Sequence, residues 1–353
     1  MRLLIVTQAV DTEDSALAFF VRWIAEFAGK AEQVEVICLK EGRHALPPNV
    51  RVHSLGKEHG KHGKHGKVAY ALRFLRLAWR LRRDYDAVFV HMNPEYVVLA
   101  GALWKAWHKR VVLWYTHRQV NLKLRTALFF VDAVATAAPE SLRVATPKAH
   151  VVGHGIDVSR FETARDGAFH EPARIVSVGR ITPIKRLEIL LDALALLRTE
   201  GVRAEVSLVG APTVPGDAAY QESLAAQASR LGISGAVHFM GAMPYDAMPE
   251  RYRQNDISVN LAPTGGIDKA VLESMASGCI PLVANRAFAP FFKSDADRLL
   301  FEPNPEALAE KLRSLVRMPQ AERRALAARL SATARTEADE RIIVGRLFSL
   351  LSP

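Results

Sequence analysis

Arg174-Ile175-Val176-Ser177-Val178-Gly179 is a short, largely apolar run closed by glycine and then by Arg180. An uninterrupted run of this kind has no face for water, so it reads as a strand buried on both sides, as in a parallel sheet. A helical pattern beginning at Lys185 follows, with Leu187, Leu190, Leu191, Ala193, Leu194 and Leu197 along one stripe. The strand–helix alternation then continues to Asn285. Strands joined through helices imply right-handed crossovers and a parallel sheet. Arg180 and Lys185 therefore fall at the carboxyl end of a strand, where open α/β sheets bind ligands. Further along, Gly265-Gly266-Ile267-Asp268-Lys269-Ala270-Val271-Leu272-Glu273 is a glycine-rich turn opening a helix. Its free backbone N–H groups suit a phosphate. Two cations and a helix N-terminus make a site for a diphosphate. Glu273, inside that helix, is placed to accept hydrogen bonds from a sugar hydroxyl such as a ribose. The combination reads as a nucleotide-sugar site.

The first half of the chain alternates in the same way. Strand patterns fall at Arg2–Val6, Val34–Leu39, Val50–Leu55, Ala87–His91, Val111–Tyr115 and Ala133–Thr136. Helical patterns fall at Ser15–Phe27, Val68–Leu81 and Tyr96–Trp107. At 353 residues the chain suits two domains. The polar stretch Gly153–Pro172, broken by Gly153, Gly155, Gly167 and Pro172, is the boundary. The division is 1–155, 156–335 and a terminal helix, 336–353, expected to cross back to the first domain.

The second half resembles the donor-binding half of glycosyltransferase family 4. The matching pieces begin with Gly153-His154-Gly155-Ile156-Asp157 and Phe161, then Val178-Gly179-Arg180 with Lys185-Arg186. They continue with Ser207-Leu208-Val209-Gly210, Val237-His238-Phe239-Met240-Gly241 and Asp256-Ile257-Ser258-Val259-Asn260, and end with Leu272-Glu273 through Val283. The resemblance implies an α/β protein of the GT-B fold, two Rossmann-like domains with parallel sheets facing across a cleft. It also implies retaining transfer from a nucleoside-diphosphate sugar. By the same resemblance Arg180 and Lys185 grip the donor diphosphate and Glu273 binds the ribose, with Gly210, Gly265, Gly266, Asp268, Lys269 and Ala270 around the donor. The family's usual glutamate eight residues before Glu273 is replaced by Gly265, and Asp268 and Lys269 are expected to cover the lost sugar contact. The family's glycine pair after the first strand is also missing. The acidic loop Thr7–Ser15, carrying Asp11 and Asp14, stands in its place, on the acceptor side.

His91 and His117 each close a strand pattern of the first domain, which puts both at carboxyl ends, with Asn93 just beyond His91. His91 and Asn93 are assigned to the acceptor side. His117 resembles the family histidine near the reacting sugar and is assigned to catalysis. Two Asp-x-Asp triplets, Asp84-Tyr85-Asp86 and Asp295-Ala296-Asp297, lie away from any switch point and read as turns. Arg180 and Lys185 supply the charge that a metal would otherwise bring, so neither metal nor cofactor is expected.

Charge divides the chain more sharply than any motif. Residues 1–150 hold 23 Lys+Arg and 13 Asp+Glu, a balance of +10; the rest hold 24 and 24, a balance of zero. The Gly-Lys-His repeat at 57–67 reads as a solvated loop, since its glycines forbid a stiff metal-binding helix. It leads into the arginine-laced pattern Val68–Leu81. A basic amphipathic helix can lie on an anionic bilayer or serve as a packing helix with a basic edge. The two cysteines, Cys38 and Cys279, sit in opposite halves, against a disulfide scaffold. The start of the chain reads as a first strand and not a leader, and no apolar stretch is long enough to span a membrane. The expected partners are a nucleotide-sugar donor, a glycan or lipid-linked acceptor and an anionic membrane surface, with no nucleic acid. The expected setting is cytoplasmic, peripheral on the inner face of the cytoplasmic membrane, in cell-surface glycan synthesis. The alternatives are a nucleotide-sugar epimerase or phosphorylase of the same fold, or a non-catalytic nucleotide-sugar-binding protein.

Overall fold

The computed structural model of the chain describes residues 1–14, 17–59, 64–117, 119–162, 168–263 and 266–352, the side chains at 64, 65 and 215 excepted. The chain forms two compact units. One is Met1–Gly155 together with the residues from Glu340 onward; the other is Ile156–Asp339.

The first unit is built on seven strands: β1 (Arg2–Val10), β2 (Gln33–Glu41), β3 (Val50–Ser54), β4 (Ala87–His91), β5 (Arg110–Trp114), β6 (Ala133–Thr136) and β7 (Ala149–Val151). Their order is β3-β2-β1-β4-β5-β6-β7, and every pairing is parallel. Side chains alternate across a strand, so β1 sends Leu3 and Ile5 to one core and Leu4 and Val6 to the other. Both faces are covered, which explains why these strands read as unbroken apolar runs. Helices Ala18–Ala28 and Glu340–Leu351 cover the first face. Helices Lys64–Arg80, Pro94–Ala106 and Leu122–Phe130 cover the second.

Helix Glu340–Leu351 is part of this unit's core. Its Ile343, Val344, Leu347 and Leu351 are buried among Leu3, Phe20, Ile24 and Val112. Burying each such side chain contributes roughly 1.5–3 kcal/mol. Arg22 pairs with Glu340 at 2.7 Å, and Arg346 donates to the Val152 carbonyl at 3.0 Å, fixing the start and middle of the helix.

The second unit carries β8 (Ala173–Val178), β9 (Ala204–Val209), β10 (Val237–Gly241), β11 (Ile257–Asn260) and β12 (Ile280–Val283) in the parallel order β10-β9-β8-β11-β12. Both sheets therefore reverse direction once, between β1 and β4 in the first and between β8 and β11 in the second. Cys38 and Cys279 are buried, unpaired thiols.

Several elements depart from the sequence reading. The Gly-Lys-His repeat is not a loop throughout: Lys57–His59 is a 3-10 turn and the long helix already begins at Lys64. Residues 60–63 lie outside the described residues. Lys185 does not open a helix; it closes a 3-10 turn (Pro183–Lys185), and the helix starts at Leu187 after Arg186 adopts a left-handed φ of 50°. β1 runs to Val10, so part of the expected acidic loop is strand.

Candidate functional site

In the second unit the switch point lies between β8 and β11, which pair directly through Ile175–Ile257 and Val176–Ser258. Beyond β8, Gly179 donates its N–H to the Val209 carbonyl at 2.9 Å, and Gly210 donates to Gly241 at 2.8 Å. Both glycines have φ near +142°. A Cβ on Gly210 would lie 1.9 Å from the Gly179 carbonyl oxygen, so the two strand ends approach each other only because Gly210 carries no side chain.

This close approach delivers two cations. Arg180 is exposed, and among the described residues its side chain makes no hydrogen bond or ion pair. Lys185 instead bends back, its Nζ donating to Asp268 Oδ2 at 2.7 Å. A Cβ on Gly179 would sit 3.0 Å from Lys185 Cε, so the missing side chain leaves room for the lysine stem. Asp268 caps helix Lys269–Ala276, its Oδ1 accepting from the Ala270 N–H at 3.2 Å, while Oδ2 also accepts from Asn260 Nδ2 at 2.8 Å. Burial works against ionisation of this carboxyl. The Lys185 charge, the Asn260 amide and the Ala270 N–H outweigh it and hold the group below the usual carboxylate range.

One turn into the same helix, Glu273 is 5% exposed and accepts from Tyr252 Oη at 3.3 Å. Burial pushes its carboxyl up to about 7, against the pull of Lys269 and of hydrogen bonds from Tyr245 and Tyr252. Glu273 thus holds its proton to higher pH than an exposed carboxyl does.

In the first unit the switch point is closed by its own side chains. His91, the last residue of β4, is 2% exposed; its ring stacks on Phe20 with centroids 3.9 Å apart, and Nδ1 lies 3.3 Å from Thr7 Oγ1 on β1. Gln8 Nε2 donates to Asn93 Oδ1 at 2.7 Å, and Asn93 Nδ2 donates to the His91 carbonyl at 3.0 Å. Asp11 is buried, paired with Lys40 at 3.0 Å and accepting the Glu13 N–H at 3.0 Å. The Glu13 N–H first, then Lys40, hold its carboxyl below the usual range. Asp14 accepts the Leu17 N–H at 2.9 Å ahead of helix Ala18–Ala28. His117 lies three residues past β5, exposed, edge-on to Tyr115 at 5.7 Å.

The profile of the family described as Glycosyl transferases group 1 matches residues 159–336, half of the chain. The chain belongs to this family. It is similar to the D-inositol 3-phosphate glycosyltransferase of Geodermatophilus obscurus, 32% identical over 145 residues, which make up 38% of this chain and 32% of that protein. The matched stretch thus spans about a third of that relative's length. Among solved structures, Anabaena Alr3699/HepE in complex with UDP is 18% identical with a TM-score of 0.76, each chain covered to 99%. Sucrose-phosphate synthase of Thermosynechococcus elongatus is 14% identical with a TM-score of 0.74, covering 99% of this chain and 98% of that one. At these identities the structures speak to the fold, which is GT-B.

For this group 1 family member, the residues predicted around the donor separate into two kinds. Lys185, Asp268, Lys269, Ala270 and Glu273 gather at one strand-end and helix-start, with Arg180 beside them and Gly210 behind them; Gly266 is tied by Asn285 Nδ2 at 3.3 Å. Gly265 lies outside the described residues. Asp268, expected to read the donor sugar, is instead engaged by Lys185, Asn260 and the Ala270 N–H. In the first unit the expectation of strand-end groups presented to a ligand needs correction for His91 and Asp11, both buried and bonded to their own unit. The Asp-x-Asp triplets serve as anchors, Asp86 pairing with Arg2 at 2.8 Å and Asp295 with Arg329 at 2.9 Å. Asn260 and Tyr252 were missed. Asn260 carried a usable signal, a polar residue ending a buried strand at the switch point, the same argument that picks out Arg180.

Proposed function

We propose that this protein is a retaining, metal-independent glycosyltransferase that moves a sugar from a nucleoside-diphosphate sugar to a glycan or lipid-linked acceptor in cell-surface polysaccharide or glycolipid synthesis. The observation that carries the reading is the convergence of Arg180, Lys185, the start of helix Lys269–Ala276 and buried Glu273 at one topological switch point. A diphosphate leaving group needs preorganised positive charge where its own charge develops. Arg180, Lys185 and the backbone N–H groups from Gly266 onward supply it without a metal. Glu273 takes a ribose hydroxyl. The protein's remaining task is positioning, holding an acceptor hydroxyl near the sugar's C1, a task to which the family resemblance assigns His117 of the first unit. The family match and the UDP carried by Alr3699/HepE support a nucleotide-sugar donor.

The test is a thermal-shift screen against UDP-, GDP-, ADP- and TDP-sugars, followed by product analysis with and without acceptor. One nucleotide should raise Tm and yield a transferred sugar of unchanged anomeric configuration. No stabilisation by any of the four would remove the donor assignment. A rearranged nucleotide sugar without acceptor would favour an epimerase.

The setting we infer is the cytoplasmic side of a membrane, with the first unit attached peripherally. No helix among the described residues is long and apolar enough to cross one. Helix Lys64–Arg80 exposes Val68 and Leu72 at 63% and Trp79 at 53%, interleaved with exposed Arg73, Arg76 and Arg80. The helices of the same layer add Leu122 at 78% and Phe129 at 74%. Apolar prongs among arginines suit a surface of anionic lipid.

A further inference from the structure

We propose that Asp268 is a positioning residue that fixes the Lys185 ammonium for the departing diphosphate, an inference that rests on the diphosphate role given above to Lys185. A lysine side chain has many rotamers, and an unrestrained amine surrenders that freedom on meeting a ligand. Here the amine is already held, 2.7 Å from Asp268 Oδ2. Asp268 is itself fixed from two further sides, by Asn260 at the end of β11 and by the Ala270 N–H of its own helix. The carboxylate thus ties together the turn after β8, the end of β11 and the start of helix Lys269–Ala276. Those three elements converge on the switch point.

The arrangement leaves Lys185 fit for a diphosphate. An ammonium has three donors, and Asp268 takes one, so two remain for phosphate oxygens while the pair stays intact. The carboxylate charge would repel a diphosphate if it stood alone, but it is matched by Lys185 and lies at the positive end of a helix dipole. Oδ2 already accepts from two side chains, which argues against Asp268 as the reader of the donor sugar. Arg180, with no such partner among the described residues, provides the contrast: it must be ordered by the ligand, whereas Lys185 is ordered beforehand.

The test uses the full chain with UDP-, GDP-, ADP- and TDP-glucose, following release of the nucleoside diphosphate from whichever is turned over. It compares wild type, Asp268→Asn, Lys185→Ala and the double variant. Asparagine keeps the helix cap through Oδ1 and puts an amide NH2 in place of the acceptor Oδ2, so the charge and the hydrogen bonds that Oδ2 accepts from Lys185 and Asn260 are lost. Asp268→Asn should lower kcat about tenfold with KM for the donor unchanged or lower, because the loss falls on the transition state and not on ground-state binding. In the Lys185→Ala background the same substitution should have no further effect, since the two residues act as one unit. Asp268→Glu, which keeps the charge, should recover part of the rate; this also guards against a merely structural loss. Wild-type kcat in Asp268→Asn would overturn the proposal, and so would an equal loss from it in the Lys185→Ala background. Full activity of Lys185→Ala is a different failure, which would sink the diphosphate reading itself.

Discussion

The two sheets reverse strand order at matching places, yet their switch points hold opposite chemistry. Between β1 and β4, Thr7 meets His91, Gln8 meets Asn93, and Phe20 lies flat over the imidazole. Between β8 and β11, Lys185, Asp268 and Asn260 form the bridge, and Arg180 stands exposed beside it. Topology supplies a crevice in both; the side chains at the strand ends decide whether it is filled or left for a ligand. The charge distribution makes the same point from the other direction. All of the chain's excess of +10 lies in residues 1–150, yet that unit's switch point holds no free cation among the residues just named. Many of its basic residues stand exposed on outer helix surfaces such as Lys64–Arg80. The near-neutral second unit places Arg180 and Lys185 beyond the end of β8.

If the comparison is right, damage to the two switch points should have different consequences. The largest effect should come from Arg180→Ala or Lys185→Ala, each lowering turnover roughly two to three orders of magnitude, the scale for one lost charge stabiliser. Thermal melts should show the fold intact. Near-normal rates in both variants would erase the distinction between the two crevices. His91→Ala should act instead on stability, costing about 2–4 kcal/mol as a cavity forms beneath Phe20, read from urea unfolding. Its nucleotide affinity should stay unchanged; a stable variant with weakened nucleotide binding would contradict the assignment of His91 to the core.

How far the sequence alone carried this contrast depends on the kind of contact involved. β4 and β6 were legible to the residue, because a strand buried on both faces reads as a nearly continuous apolar run. The strand-end position of Arg180 followed from the same rule. β7 was not legible, since Ala149, His150 and Val151 are exposed at the sheet edge and carry no burial pattern. The helix Leu122–Phe130 was hidden for a related reason, burying only Leu124 and Ala127. The start of helix Lys64–Arg80 was masked by the glycines and histidines of the repeat before it. Pairing of Lys185 with Asp268 spans 83 positions and leaves no periodic trace. Polar residues closing His91 and Asp11 into their unit are likewise visible only once the strands lie side by side.

A smaller effect concerns Glu273. Its carboxyl is raised to about 7, chiefly by burial, so folding disfavours its charged form. The resulting penalty is absent below its ordinary value near 4.5, grows as pH rises from there to about 7, and is complete above it. Glu273→Gln should therefore raise stability at pH 8, by about 3 kcal/mol or less. The same substitution should weaken nucleoside diphosphate binding by roughly 1.5–3 kcal/mol at that pH, the worth of a hydrogen bond to a charged group. Calorimetry and melts across pH 5–8.5 check both signs; an unchanged dissociation constant would give Glu273 a structural role only.

The smallest effect, residue by residue, should appear at the basic helix. Each arginine near an anionic surface contributes about 1 kcal/mol, falling off within a Debye length of roughly 8–10 Å. Changing Arg73, Arg76, Arg80 and Arg83 together to Gln should abolish co-sedimentation with anionic vesicles, while wild-type binding should weaken sharply with salt. Equal, negligible pelleting of the wild type with anionic and neutral vesicles would assign the basic face to a soluble acidic acceptor.

The claim that one switch point is a ligand site and the other a plug is tested most directly by amide hydrogen exchange. The exchange is measured with and without the nucleoside diphosphate that most raises Tm among UDP, GDP, ADP and TDP. New protection should be confined to residues 179–186 and 266–274, with residues 7–14 and 91–93 unchanged. Protection at 7–14 and 91–93 without any at 179–186 would contradict the account.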